Sequence, residues 1–390
     1  MRILFCNFEY PPLGGGGGVV NALLAEELAT RHTVTVLTSQ AHDLPRESEE
    51  GGVRVVRVPV LFRRRQAAAS MASMLSYVVR APAVGKRHLA SSPHDIINTH
   101  FVLPSGPVGD RLARAQEIPN VLSLHGGDLY DPSKFTSPHR HGLLRAWIRR
   151  LAKRADAVVG QSSNTLDNLR NYYTPEIEGI RIPLGIRRPS PGVAAREEYQ
   201  LPTDAVLLVT VGRIVARKAI HQLLEVVDKL RDLPLHLLIV GDGPLVPSLQ
   251  SECRRRRIED RVRFMGRVTE ADKFRILRMS DLFVSTSLHE GFGLVFLEAM
   301  ACGLPIICYN HGGQNDFLVD SATGHLLPLN DLEGFTDRTR ELAFDPDRRG
   351  AMGRENLARG EQYFIEHCAQ QYEQVFENVL KSSDSNARSR

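Results

Sequence analysis

The sequence predicts an α/β chain of two doubly wound, Rossmann-like domains, and three observations carry that prediction. Short β-branched runs alternate with amphipathic stretches from end to end, the pattern of parallel strands joined by helical crossovers. The alternation forms two series, parted by a stretch in which Pro183, Pro189, Pro191 and Pro202 stand close together, as in a linker. With 390 residues the chain is long enough to bury two separate cores.

In the first series strands are expected at Arg2–Phe5, Thr33–Leu37, Val53–Val58, Asp95–Thr99, Val121–Leu124 and Ala157–Gly160. The second begins at Ala205 with AVLLVTVG and continues through LHLLIVGDG, RVRFMG, LFVST, PIICY and GHLLPL. Helical periodicity fills the gaps, as over Lys218–Arg231 and Ala271–Met279. These bounds place a first domain at 1–188 and a second at 189–365. The amphipathic stretch from Glu361 to Leu380 is long enough to cross back, so 366–381 joins the first domain and 382–390 reads as a disordered tail. Ligands of doubly wound sheets bind beyond the carboxyl ends of the strands. Two such domains facing each other would hold a ligand in the cleft between them.

Composition narrows the function classes. A hydrophobic content of 42% with 24% charged residues is that of a soluble globular protein. MRILFCNFEYPP reads as a first strand rather than a signal peptide, and no run of 18 apolar residues predicts a membrane span. The five cysteines are scattered without a C-x-x-C pair, which argues against a disulfide framework or a zinc site and for a reducing cytoplasm. Charge is uneven: residues 1–190 carry 24 Lys+Arg against 16 Asp+Glu, the remainder 25 against 29. A basic front half suggests an anionic ligand or surface. No zinc-finger, RNP or basic-zipper pattern supports nucleic acid.

The run Gly14–Gly18 follows the first strand and precedes a helical segment, Val19–Ala29. It fails as a dinucleotide fingerprint, because the sixth place counted from Gly14 or Gly15 is Val19 or Val20, and no acid ends the second strand. It fails as a Walker loop, because the one Gly-Lys pair, Gly85-Lys86, is followed by Arg87. What remains is a strand–loop–helix whose amides could face an anion, or else a flexible surface loop.

TSLHEGFGLVFLEAMACGLP, residues 286–305, is more informative. A helix is expected from about Gly293 to Ala301, and its only charge is Glu298. Burying a lone carboxylate costs several kcal/mol unless it is partnered, so Glu298 should meet a ligand or a structural donor. Glu290 lies eight residues earlier. A helical rise would part the two by roughly 12 Å, beyond the roughly 5–9.5 Å of an acid/base pair at one glycosidic bond. They suit the two ends of one elongated ligand better. Alone, Glu290 could simply complement the helix N-terminus. In VTVGRIVARKAI the strand ends at Gly212, and Arg213, Arg217 and Lys218 follow. Cations near a helix N-terminus oppose its dipole, which a bound diphosphate would explain. A solvated basic turn is the alternative, and it is preferred for Arg217.

Together the spaced glutamates of HEGFGLVFLEAMACGLP, the VGRIVARK turn, the IVGDGP strand end and the glycine loop resemble retaining glycosyltransferase family 4, of the GT-B fold, over nearly the whole chain. The resemblance implies that Glu290 contacts donor-sugar hydroxyls, Glu298 the ribose, and Arg213 and Lys218 the diphosphate. The backbone of Gly266 and Arg267 would border the base. It also places Gly15, Gly16, Gly17, Gly18, Gly212, Gly291, Phe292, Gly293 and Leu294 around the donor. His125, in SLHGGD, would stand near the transferred sugar. Glu290, His125, Arg213 and Lys218 are the implied catalytic set; on the acceptor side the candidates are His100, at the strand end of NTHFVLPSG, and Asp128. Two positions depart from the pattern: Ala219 stands where the family usually has Gly, and Gly312-Gly313-Gln314-Asn315-Asp316 ends in Asp rather than Glu.

The implied activity is transfer of a sugar from a UDP- or GDP-sugar to a hydroxyl acceptor. Preorganised cations and amides would stabilise the departing diphosphate. No metal or other cofactor is implied, since cationic side chains serve instead. The Asp-x-Asp match Asp345-Pro346-Asp347 falls in an expected helix–helix loop. A nucleotide-sugar epimerase of the same fold is the alternative activity. HRHGLLRAWIRRLAKR (139–154) holds six Lys/Arg, no acid and an apolar face of Leu143, Leu144, Trp147, Ile148 and Leu151; a second basic cluster spans 62–80. Such a helix can lie on anionic lipid, which would put the protein peripherally on the cytoplasmic face of the inner membrane, or it can bury that face in the core.

Overall fold

The computed structural model describes residues 1–41, 43–63, 69–132 and 134–388. They divide into two units: Met1–Arg187 with Phe364–Arg390, and Arg188–Tyr363. Of the basic cluster at 62–80, residues 64–68 lie outside the described residues, as do 389 and 390 of the tail.

The first unit runs β1 (Arg2–Asn7), α1 (Gly16–Ala29), β2 (Thr33–Gln40), β3 (Glu47–Glu50), β4 (Val53–Pro59), α2 (Met71–Ser91), β5 (Ile96–His100), α3 (Gly106–Gln116), β6 (Asn120–Leu124), α4 (Gly142–Arg154), β7 (Ala157–Gly160), α5 (Ser163–Tyr172) and β8 (Ile180–Arg181). Its sheet has the order β3-β4-β2-β1-β5-β6-β7-β8. All pairs are parallel except β3 with β4. The sequence pattern misses β3 because ESEE has no apolar face. Arg57 of β4 holds this edge instead, through Ser48 Oγ at 2.7 Å and Glu50 Oε1 at 2.5 Å.

The second unit runs β9 (Val206–Val211), α6 (Ile220–Lys229), β10 (Leu235–Val240), α7 (Val246–Arg256), β11 (Val262–Gly266), α8 (Glu270–Met279), β12 (Leu282–Ser285), α9 (Leu294–Met300), β13 (Ile306–Tyr309), β14 (Gly324–Leu327), α10 (Leu332–Phe344) and α11 (Pro346–Gly360). Its six strands are all parallel, in the order β11-β10-β9-β12-β13-β14. Strands such as LHLLIV are apolar throughout because helices cover both faces. Both sheets are therefore doubly wound, as the alternation predicts. Helix α6 begins at Ile220, two residues later than expected, because Ala219 takes the left-handed conformation (φ 45°) and breaks the turn from Lys218.

Helix α12 (Ile365–Arg388) packs on the first unit: Cys368, Ala369, Tyr372 and Phe376 are buried with Ile3, Val34 and Ile96. The expectation of disorder from 382 does not hold for 382–388, which continue α12. There the hydroxyls of Ser382, Ser383 and Ser385 donate to carbonyls four residues back, which lets polar side chains sit in a helix. Among the described residues no helix is long and apolar enough to cross a membrane.

Strand order reverses between β1 and β5 in one sheet and between β9 and β12 in the other. Loops leaving the carboxyl ends at those points line the crevices where such sheets take ligands.

Candidate functional site

In the second unit the loops after β9 and β12 meet beside the reversal. Thr286 Oγ1 donates to the Ala219 carbonyl at 3.0 Å, and the Leu288 amide to the Arg217 carbonyl at 2.9 Å. These bonds bring Lys218 and Glu290, both under a tenth exposed, into contact. Lys218 Nζ lies 2.5 Å from Glu290 Oε1, which also accepts from Ser287 Oγ at 2.7 Å. Arg217 pairs with Oε2 at 3.1 Å and donates to the His289 carbonyl at 2.6 Å. Arg217 is thus built into the site, and the preference for a solvated turn is corrected. Burial alone would raise the Glu290 carboxyl, but the charges of Lys218 and Arg217 with the bonds from Lys218 and Ser287 hold it at about 2. Gly212 (φ 148°) leaves room for this geometry, since a Cβ there would stand 3.1 Å from Lys218 Cε. Arg213 beyond it is exposed.

Helix α9 carries Glu298, whose Oε1 accepts from Lys273 Nζ of α8 at 2.8 Å; Lys273 also reaches Glu270. The partner that the lone carboxylate demands is therefore a lysine 25 positions away. Nothing in the spacing of α8 marks that residue. Glu298 Oε2 is buried and has no partner, and burial outweighs Lys273 to push the carboxyl pKa up. An oxygen lacking a donor this deep suits a ligand hydroxyl. Gly293 (φ 94°) caps the start of α9 and Leu294 is its first residue. Between Glu290 and that cap, Gly291 is half-buried, while the Phe292 ring is buried 5.3 Å from that of Phe317, so Phe292 packs rather than faces a ligand. Gly266 ends β11 and accepts from the Gly241 amide; Arg267 beside it is exposed.

In the first unit three of the five glycines lie inside α1, which begins at Gly16 rather than Val19. The Gly15 amide donates to Glu9 Oε2 at 3.3 Å and the Gly18 amide to the Gly15 carbonyl at 3.0 Å. Among the described residues the amides of Gly14, Gly16 and Gly17 meet no acceptor, and the last two open α1. Gly17 has a further reason to be bare: a Cβ would lie 2.5 Å from Phe101 Cζ. The Phe101 ring stacks on His125, centroids 4.2 Å apart.

His100 ends β5 and His125 follows β6. Their Nδ1 and Nε2 lie 3.0 Å apart, leaving His100 Nε2 and His125 Nδ1 buried without partners. Burial lowers both rings, His125 to about 3, so the pair is neutral at pH 7. Asp128 accepts the amides of Val102 (2.7 Å) and His125 (3.0 Å), fixing both loops; burial outweighs these bonds and raises its carboxyl to about 6. Asp345 is the N-cap of α11, accepting the Arg348 amide at 2.8 Å.

Two family models match the chain. The Glycosyl transferase 4-like domain covers residues 15–185 and Glycosyl transferases group 1 covers 194–359. N-acetyl-alpha-D-glucosaminyl L-malate synthase of Bacillus anthracis is 27% identical over 392 residues, 97% of this chain and 97% of that protein. Sucrose-phosphate synthase from Thermosynechococcus elongatus shares the fold with a TM-score of 0.85 at 22% identity, over 98% of this chain and 100% of its own. Anabaena HepE, solved in complex with UDP-glucose, shares it with a TM-score of 0.76 at 18% identity, over 97% of this chain and 100% of its own.

Proposed function

The chain belongs to the GT-B glycosyltransferases of the family 4 type, and from that premise we propose that it is a retaining enzyme moving a sugar from a UDP- or GDP-sugar to a hydroxyl acceptor. One observation carries the reading. Beside the reversal of the second sheet stand a cationic loop, Arg213, Arg217 and Lys218, and a buried carboxylate, Glu298, with a free oxygen. A nucleoside diphosphate needs both: cations for its phosphates and an acceptor for its ribose hydroxyls. The UDP-glucose complex of HepE and the malate product in the name of the Bacillus anthracis relative support a sugar nucleotide and a hydroxyl acceptor.

Breaking the sugar–phosphate bond develops negative charge on the leaving diphosphate. Lys218 and Arg213 would stabilise that charge, with the amides at the start of α9. Lys218 is already desolvated and oriented by Glu290, so it need not reorganise as charge develops. Glu290 would share its oxygens with donor-sugar hydroxyls. His125, neutral and stacked under Phe101, would face the transferred sugar, with His100 and Asp128 on the acceptor side. We read the leaving phosphate as the base for the acceptor hydroxyl, giving front-face retention without a metal.

Leu143 (89% exposed) and Trp147 (38%) on α4, with Met71, Leu75 and Val79 on α2, support contact with an anionic membrane, because the apolar face is only partly used by the core. Ile148 and Leu151 take the core side. Sedimentation with anionic vesicles at moderate salt tests this, and absence of binding removes it. The activity is tested on a panel of UDP-, GDP- and ADP-sugars with and without EDTA. Nucleoside diphosphate release with retained anomeric configuration, unaffected by EDTA, is expected. A changed donor sugar without release would mean an epimerase, and inversion would overturn the retaining mechanism.

A further inference from the structure

Arg63 stands apart from every group used above. It follows β4, is 4% exposed, and has no carboxylate within ion-pair distance among the described residues. Two contacts fix its guanidinium, each backed by a further one. Nη1 donates to Ser39 Oγ at 2.9 Å. The Ser39 hydroxyl proton goes to the Phe8 carbonyl at 2.6 Å, which turns a lone pair toward Arg63. The guanidinium carbon lies 4.5 Å from the Phe8 ring centroid, and Tyr77 meets that ring edge-on at 5.2 Å.

These contacts leave Nε and Nη2 buried with no acceptor. A guanidinium without a counter-charge is costly to bury, and a cation–π contact worth about 0.5–2 kcal/mol does not offset it. The idle edge has a specific shape: Nε–H and the Nη2–H beside it form the fork that takes two oxygens of one carboxylate or phosphate. Glu9, whose charge acts on Arg63 without pairing with it, turns its Oε2 to the Gly15 amide.

Position gives the fork a use. Phe8 follows β1 and Ser39 lies near the end of β2, so the guanidinium sits at the carboxyl edge of the first sheet, beside its reversal. β1, β5 and β6 are consecutive there, and Asn7 is in register with His100. Asn7 Nδ2 is a second buried donor on this edge without an acceptor. Arg63 packs with Phe8 and Tyr77 on the α2 face of this edge, whereas Asn7 and the histidine pair lie on the α12 face, where His100 meets Phe5 and Tyr372.

We propose that Arg63 is the anion-recognition residue of the acceptor site, binding a carboxylate or phosphate of the acceptor through its Nε–Nη2 fork. The proposal rests on the reading of the first unit as the acceptor side. It makes the acceptor an acid or a phosphate ester.

The test is binding by the full chain of inorganic phosphate, glycerol 3-phosphate and succinate, followed by calorimetry, with sedimentation on phosphatidylinositol vesicles as a separate arm. At least one probe should bind saturably and lose tenfold or more in affinity in Arg63→Gln. Arg63→Lys, which keeps charge but not the fork, should recover only part of the loss. Arg63-dependent binding of a soluble probe identifies a free acid or phosphate ester; dependence seen only on vesicles identifies a lipid headgroup. Equal binding by wild type and Arg63→Gln in both arms overturns the proposal. Should Arg63→Gln not fold, Arg63→Lys and Ser39→Ala carry the same comparison. UDP and GDP binding, measured in parallel, reads the donor assignment. Its failure with Arg63-dependent anion binding intact would sink the transferase reading and leave the anion site standing.

Discussion

Lys218 and Glu290 form a buried ion pair at 2.5 Å that joins the loop after β9 to the loop after β12. Seventy-two positions separate them, and each is about 10% exposed at the side chain. The pair fixes the cation that the proposed reaction needs, and it does so before any ligand arrives.

Removing one partner should therefore cost more than removing both. Lys218→Met leaves Glu290 buried with Arg217 and the Ser287 hydroxyl but without its closest cation, which should destabilise the chain by about 3 kcal/mol. Lys218→Met with Glu290→Leu should recover at least half of that. Urea midpoints of the two single variants and the double variant measure the coupling, and additive losses would show that the pair is not a unit. Turnover should fall in all three.

Glu298 offers the opposite test, because its idle Oε2 contributes nothing to the fold. Glu298→Gln keeps the shape and a hydrogen-bond acceptor for Lys273 but loses the charge. A charge-assisted bond to a ligand hydroxyl is worth about 1.5–3 kcal/mol, so UDP or GDP affinity should drop tenfold or more. The urea midpoint should move little by comparison. Unchanged nucleotide affinity would remove Glu298 from the donor site.

Acid should weaken the chain, with a sign that separates the histidine pair from its neighbour. His100 and His125 are held neutral by burial, so between pH 6.5 and about 3 the unfolded chain binds protons that the folded one refuses. Stability is full above that window and falls as pH drops through it. Asp128 works against this: its folded carboxyl takes a proton near pH 6, well above the unfolded range, so acidification from there to about 4 favours the fold. Two histidines outweigh one aspartate, and the urea midpoint should decline from pH 7 to 5. His88, His94, His236 and His325 are lowered by burial too and add to that slope. The assignment therefore rests on a difference: Asp128→Asn should lose midpoint more steeply than wild type. Parallel slopes would refute it.

Much of the second unit's site is legible in the sequence because its members announce themselves locally. Glu298 is the sole charge in an apolar helix, and Lys218 follows a strand end. What sequence spacing does not carry is who meets whom. Lys273 looks like any lysine on the amphipathic face of α8, and only the packing of α8 on α9 makes it the partner of Glu298. Gly17 reads as a loop glycine, yet its bareness is also required by Phe101, 84 positions on. Arg63 hides in a run of arginines, because its burial is decided by Phe8 and Ser39 of distant segments rather than by its place in the run. The polar strand β3 escapes for the same reason in reverse: it forms because Arg57 of β4 holds it, not because it has an apolar face.

Ala219 yields a prediction about stability alone. It is 1% exposed and sits at φ 45°, between the turn that carries Lys218 and the first residue of α6. The left-handed conformation costs a residue with a Cβ about 1–2 kcal/mol and costs glycine almost nothing. Against that, Ala219→Gly removes one buried methyl, worth about 0.8 kcal/mol, and loosens the unfolded chain slightly. The strain term is the larger, so Ala219→Gly should stabilise the chain by about 0.5 kcal/mol and raise the melting temperature by about 1–2 °C. Thermal unfolding of wild type and variant measures it directly. Because the backbone already holds the conformation that glycine prefers, Lys218 keeps its place on Glu290, and nucleotide affinity should stay within about twofold of wild type. A lower melting temperature would mean that the methyl contributes more packing than the backbone pays in strain.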